Sequence, residues 1–69
     1  MNMWISRDSD GYLHLHSTKP EKLEHLWTSF FTDGEDYHLD YKLFPEVTFE
    51  NSPQQVEIKL IENKESSNE

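Results

Sequence analysis

The stretch from Met3 to His16 reads MWISRDSDGYLHLH and carries the strongest fold signal in the chain. Apolar and polar residues alternate on both sides of Asp10-Gly11, a dipeptide that favours tight turns between antiparallel strands. This pattern predicts a β-hairpin over residues 2–17, and the length of its loop decides which side chains share a face.

Two loop lengths compete in this hairpin. A two-residue loop would place Ile5 opposite His16 and mix apolar with polar side chains on each face. A three-residue loop closed by a glycine bulge places Ile5 opposite Leu15 and Arg7 opposite Leu13. Because a buried apolar face fixes the register of a strand, the second arrangement is predicted. Its apolar face contains Met3, Ile5, Leu13 and Leu15.

The other face of the hairpin carries two histidines. His14 and His16 are two residues apart, about 7 Å along an extended chain, and His38 is a conceivable third metal ligand. An H-x-H pair with no further spaced partner is a weak metal pattern, so a solvated strand face is predicted, with no metal, no cofactor and ordinary histidine pKa values. This face contains Trp4, Tyr12, His14 and His16.

The middle of the chain supports two interpretations. Apolar residues in 21–31 recur at helical spacing, as in an amphipathic helix. The same segment is rich in strand formers, and Asp33-Gly34 predicts the turn of a second hairpin near residues 26–41. We predict a mainly β fold, a small antiparallel sheet of four to five strands with at most one short helix. The alternative is an α+β fold with a helix near residues 21–31.

The last third of the chain alternates again. Residues 47–50 have strand-like composition, and Phe44 precedes a proline, which favours extended backbone. The alternation in residues 55–61 predicts a closing strand. Residues 1–61 are predicted to form a single domain, and the polar residues 62–69 a flexible tail. The closing strand should direct inward Val56, Ile58 and Leu60.

Composition limits the classes of partner. The chain of 69 residues has 14 acidic and 6 basic residues, a formal net charge of −8, and no cysteine. Nucleic-acid contacts need clustered lysine and arginine, so a direct nucleic-acid binder is disfavoured, as is binding to an anionic membrane. We see neither a secretory signal nor an apolar run that could span a bilayer, which predicts a cytoplasmic protein. So small a core is compatible with a homodimer.

Three segments resemble a known group of sequences. They are Trp4–Gly11 (WISRDSDG), Leu43–Pro53 (LFPEVTFENSP) and Val56–Ile61 (VEIKLI). The chain resembles short uncharacterised proteins found in gut anaerobes and on their phages and mobile elements. The resemblance implies a small accessory gene product and a variable middle segment, which favours a hairpin over a helix there. The group has no assigned activity, so the resemblance transfers no catalytic or binding residue.

Three classes of function follow from these observations. An enzyme is not predicted, because the carboxylates lie in turns where solvent keeps their pKa values ordinary and no nucleophile motif is present. A non-catalytic protein-interaction module is preferred, because the aromatic residues exceed what one small core needs. We expect such a module to bind an unknown protein partner. Its candidate interaction face is the hairpin face that carries Trp4, Tyr12, His14 and His16.

The alternative function is an inhibitor that mimics nucleic acid. A small acidic protein encoded by a mobile element could occupy the basic groove of a host DNA- or RNA-binding defence protein, and its charge would speed association. Net charge also keeps a small protein soluble, so composition alone does not decide. The candidate acidic surface contains Asp33, Glu35, Asp36 and Asp40.

Overall fold

A computed structural model of the chain describes residues 1–60 and has a mainly β architecture, as predicted. The strands are β1 (Asn2–Arg7), β2 (Leu13–His16), β3 (Glu21–Lys22), β4 (Trp27–Thr28), β5 (Asp36–Leu39) and β6 (Gln54–Glu57). Four of them form one antiparallel sheet in the order β5-β2-β1-β6, and the two short strands β3 and β4 pair with each other.

The first hairpin has the register that the apolar alternation predicts. Ile5 lies opposite Leu15, and Arg7 lies opposite Leu13. The loop closes with a hydrogen bond of 2.9 Å from the Gly11 amide to the Asp8 carbonyl, and Gly11 has a φ of 101°. That left-handed backbone strongly favours glycine, so the bulge that sets the register depends on this residue.

The apolar face of the sheet forms the core. Ile5 and Leu13 are buried, and Val47 reaches them from a loop that crosses this face between β5 and β6. Burial of each such side chain stabilises the fold by about 1.5–3 kcal/mol. The partly buried side chains packed around this core are Leu15, Leu39 and Val56.

The middle segment pairs differently from the prediction. In residues 1–60 the helical structure is one 3-10 turn (Phe30–Thr32), so the alternative helix over 21–31 is not formed. The predicted second hairpin is also wrong, because β4 pairs with β3 while β5 pairs with β2.

A change of chain direction after the 3-10 turn explains this difference. Asp33 adopts a left-handed φ of 60°, which turns the chain away from β4. Gly34 then passes so close to Thr18 that a Cβ there would lie 2.0 Å from the threonine Oγ1. Glycine is needed at this close approach, and the chain continues to the free edge of β2.

In the last third, the described residues up to position 60 contain one strand, β6, which pairs with β1. Residues 47–50 form no strand despite their strand-like composition, because the Thr48 and Asn51 amides each donate a hydrogen bond to the other residue's side chain and close a turn. Val56 packs on the core, but Ile58 and Leu60 are 44% and 98% exposed, so the prediction that both point inward is wrong. The predicted tail over 62–69 lies outside the described residues, as does residue 61.

Helical structure in residues 1–60 is short. No helix there has the length and apolar character needed to cross a membrane.

Candidate functional site

A second layer covers the sheet face that carries the histidines. The Ser9 amide donates to the His25 carbonyl at 2.9 Å, and the Trp27 amide donates to the Asp8 carboxylate at 3.0 Å. These bonds attach the β3–β4 hairpin to the turn of the first hairpin. Ser29, only 2% exposed, then lies against the sheet. The histidine face is therefore covered over the two central strands, where Ser6, His14 and His16 are buried.

His16 is the centre of this second layer. Its side chain is fully buried, and its Nε2 shares a hydrogen bond of 2.7 Å with the Ser6 hydroxyl. Its Nδ1 lies 3.5 Å from the Ser29 hydroxyl. The prediction of a solvated histidine face is wrong, because both ring nitrogens of His16 have buried hydroxyl groups as hydrogen-bond partners. Such partners remove the usual penalty for burying a polar side chain.

His14 lies between two carboxylates. Its Nε2 is 3.1 Å from Asp8 Oδ2, and its Nδ1 is 2.9 Å from Asp36 Oδ1. The ring of His38 stands 4.5 Å away between centroids. His14 is 8% exposed, so it too is not on a solvated face.

Metal binding is not favoured by this arrangement. Within residues 1–60, no group of three or more histidine or carboxylate side chains has a geometry that could hold a metal ion. Both ring nitrogens of His14 are already engaged by carboxylates. That the protein functions without a metal or cofactor stays a prediction.

Burial lowers the pKa of His16 below its ordinary value of 6.5. Desolvation is the largest cause, and the nearby His14 ring acts in the same direction. Asp36 and Asp8 oppose the shift, since their negative charges favour the imidazolium form. The prediction of an ordinary pKa for this histidine is therefore wrong.

Stability should consequently fall as the pH is lowered through 6.5. Unfolded His16 takes up a proton near its ordinary pKa, whereas the folded side chain resists protonation until a lower pH. The free energy of unfolding should thus decrease by at most about 1.4 kcal/mol per pH unit between 6.5 and the folded pKa. Urea unfolding at pH 7.5, 6.5 and 5.5 measures this dependence, above the range near 4 where carboxyl groups ordinarily titrate.

A matched variant isolates the contribution of His16. His16→Gln removes the titrating group, so its stability should change less between pH 7.5 and 5.5 than that of the wild type. His25 is a control, because its side chain is 75% exposed. A slope that His16→Gln leaves unchanged and His25→Gln abolishes would contradict the assignment.

The hydroxyl, imidazole and carboxylate groups around His16 are arranged in the order of a catalytic triad, but a substrate has no access to the hydroxyl. His16 Nδ1 lies 3.8 Å from Asp36 Oδ2, and Ser6 is hydrogen-bonded to the other nitrogen. The Ser6 side chain, however, is fully buried within a central strand. A substrate cannot reach its hydroxyl in this conformation, so the array holds two layers together and gives no support to nucleophilic catalysis.

The four residues of the predicted interaction face do not form one exposed surface. His14 and His16 are buried beneath the second layer. Trp4 is half-buried, with the Lys19 ammonium 5.5 Å from its ring centroid. Tyr12 is 57% exposed. Whether Trp4 and Tyr12 bind a partner stays a prediction.

Arg7 organises a surface that sequence patterns did not identify. This residue is the only arginine in the chain, and its three guanidinium nitrogens donate to five backbone carbonyls. The donor–acceptor distances lie between 2.5 and 3.0 Å. A sequence signal was present, since the predicted register placed this charged residue on the apolar face. The five carbonyls belong to Gly11, Tyr41, Leu43, Phe44 and Val47.

These bonds bring the first turn and the loop over residues 41–47 together. The large apolar side chains of these two segments are exposed, by 57% for Tyr12, 62% for Tyr41, 46% for Leu43 and 47% for Phe44. We call these four residues the aromatic loop surface. Tyr12 and Tyr41 also line a cleft of about 220 Å³, together with Asp10 and Gly11. We call it the tyrosine cleft.

Phe44 has an unusual backbone within the aromatic loop surface. Its φ is 50°, in the left-handed region, so the extended conformation predicted for this residue before proline is wrong. A bulky residue there is strained by about 1–2 kcal/mol. Arg7 holds the Phe44 carbonyl at 2.9 Å and thereby helps to maintain the conformation. Strain of this kind concentrates at functional positions.

The predicted acidic surface is partly engaged within the protein. Asp36 contacts His14, and the Glu35 carboxylate accepts a hydrogen bond from the Tyr37 hydroxyl, which raises the pKa of that tyrosine. The Asp40 carboxylate accepts a hydrogen bond of 3.0 Å from the Lys42 amide. Asp36 begins β5 and Asp40 directly follows its last residue, so the two are about 13 Å apart along the extended chain. The fourth predicted residue is Asp33, which is exposed beyond the 3-10 turn.

Comparison with known proteins adds no relative. No protein-family model matches the chain, and neither the curated proteins nor the solved structures include a significant match. The resemblance to short proteins of gut anaerobes and their mobile elements therefore stays a prediction.

Proposed function

We propose that this chain is a non-catalytic protein-interaction module that binds its partner through the aromatic loop surface. The observation that carries the proposal is the exposure of four large apolar side chains on backbone held by a single guanidinium. Contiguous exposed apolar groups are typical of interaction sites, and aromatic residues contribute most strongly to binding energy.

The fixed backbone strengthens this proposal. A loop that is ordered before binding loses less conformational entropy when the partner arrives, so more of the contact energy appears as affinity. Arg7 supplies that order without lying in the contact surface itself. A non-catalytic role also agrees with the burial of Ser6, whose hydroxyl is beyond the reach of a substrate.

The mimic of nucleic acid has less support. It rests on net charge, and Asp36, one of its four candidate residues, is paired with His14. A cytoplasmic location and an origin on a phage or mobile element accompany the proposal as expectations from the sequence.

Site-specific photocrosslinking tests the proposal. A benzoylphenylalanine at position 41 should form an adduct with one partner protein in an extract of the source cells, identified by mass spectrometry. The same probe at position 30 is the control, because Phe30 is 80% exposed and lies outside the aromatic loop surface. An adduct of twice the chain mass would identify the partner as a second copy.

Competition completes this experiment. Excess wild-type chain should suppress the adduct from position 41, whereas excess Tyr41→Ala chain should suppress it much less. Identical adducts from positions 30 and 41, or no specific adduct from position 41, would contradict the proposed surface.

The strain at Phe44 predicts that a substitution there can weaken binding without lowering stability. Phe44→Gly should raise the free energy of unfolding or leave it unchanged. Glycine relieves about 1–2 kcal/mol of backbone strain, and this gain equals or exceeds the cost of the larger entropy of the unfolded chain. The same change should reduce the yield of the adduct from position 41. Urea unfolding measures the first effect. A loss of more than about 1 kcal/mol of stability would contradict the role given to Phe44.

A further inference from the structure

We infer that the tyrosine cleft accepts an arginine side chain from a basic segment of the partner. This inference rests on the proposed function and names the chemistry that the aromatic loop surface recognises. The cleft combines two aromatic side chains, Tyr12 and Tyr41, with the carboxylate-bearing residue Asp10. A guanidinium is the group that stacks on aromatic rings and also donates paired hydrogen bonds to a carboxylate.

Charge favours a cationic occupant. The chain has a formal net charge of −8, so a basic segment would be attracted from a distance. Near the cleft, the Lys42 ammonium already lies 6.0 Å from the Tyr41 ring centroid. This internal contact is an example of the interaction that we infer for the partner, on an aromatic ring that is 62% exposed.

An anionic occupant would find few donors in the same place. The positive charge of Arg7 lies close by, but its guanidinium is surrounded by carbonyl oxygens. The Gly11 amide donates to the Asp8 carbonyl, and the Tyr12 amide points to the Asp10 carboxylate at 3.4 Å. The Gly11 and Tyr12 amides are thus engaged within the turn itself, whereas the Tyr12 and Tyr41 side chains are 57% and 62% exposed and Asp10 lies beside them.

A peptide with one arginine provides a direct test. The peptide acetyl-Gly-Gly-Arg-Gly-Gly-amide is titrated into the 15N-labelled full chain, and amide shifts are followed by NMR. We expect millimolar binding that perturbs Gly11, Tyr12 and Tyr41. The matched peptide with citrulline in place of arginine keeps the shape and loses the charge, and it should bind at least about tenfold more weakly.

Variants locate the binding. Tyr41→Ala should weaken binding at least about threefold, and so should Asp10→Asn, which keeps an acceptor for the Tyr12 amide and removes the charge. Tyr37→Ala is the control, since Tyr37 is exposed but does not line the cleft, and it should change affinity less than twofold.

The outcomes separate this inference from the proposed function. Equal binding of the arginine and citrulline peptides, shifts away from the cleft, or no binding would overturn the arginine assignment. If the specific adduct from position 41 persists in that case, the interaction module stands with a different ligand chemistry. If that adduct is absent, the proposed function itself fails.

Discussion

Arg7→Met is expected to lower the free energy of unfolding by about 3–4 kcal/mol. The bonds to the Gly11 and Val47 carbonyls are partly buried, and loss of a charged donor to such a group costs about 1.5–3 kcal/mol each. The other three carbonyls are exposed, so water replaces the guanidinium there at small cost. Release of the loop also weakens the packing of Val47 on the core. Urea unfolding followed by tryptophan fluorescence measures the change.

Arg7→Lys is the matched control for charge. Lysine keeps the positive charge but offers one compact ammonium in place of a planar fork with five donors, so it should recover only part of the loss. Amide hydrogen exchange in residues 41–47 should accelerate in both variants. Full stability of Arg7→Lys would show that charge alone holds the loop, and full stability of Arg7→Met would remove the basis for a fixed aromatic loop surface.

The first hairpin could be predicted because its determinants are local. Alternation defines which residues share a face, and the glycine bulge at Gly11 is compatible with one of the two registers. The same logic failed for β5, whose partner is β2. A two-residue turn signal at Asp33-Gly34 does not specify which strand edge the following segment reaches. That choice depends on the 3-10 turn and on the contact with Thr18.

The candidate site was less predictable for two physical reasons. A histidine in an alternating pattern counts as polar, although buried hydroxyls can satisfy it, and Ser6 and Ser29 do so for His16. The tyrosine cleft joins residues 12 and 41, which are distant in sequence and meet through Arg7. The one available clue was a charged residue on the predicted apolar face, where each of its donors needs an acceptor.

His16→Ala is expected to lower the free energy of unfolding by about 3 kcal/mol, an effect typical of an apolar core residue. The truncation leaves a cavity in the second layer and removes the hydrogen-bond partner of two buried hydroxyls. A buried hydroxyl left without a partner lowers the stability by about 1–3 kcal/mol. These hydroxyls belong to Ser6 and Ser29, which are 0% and 2% exposed. Since small domains have limited total stability, the variant should be close to unfolding at 37 °C.

His25→Ala separates burial from residue type. It makes the same chemical change at a side chain that is 75% exposed, so its effect should stay within about 0.5 kcal/mol. Urea unfolding of both variants at pH 7.5 and 15 °C keeps histidine protonation out of the comparison. A loss of about 3 kcal/mol in the first variant and none in the second would establish that the sheet has a second core on its histidine face. Equal small losses of stability in both variants would instead indicate that His16 lies on a solvated face and would contradict the second layer.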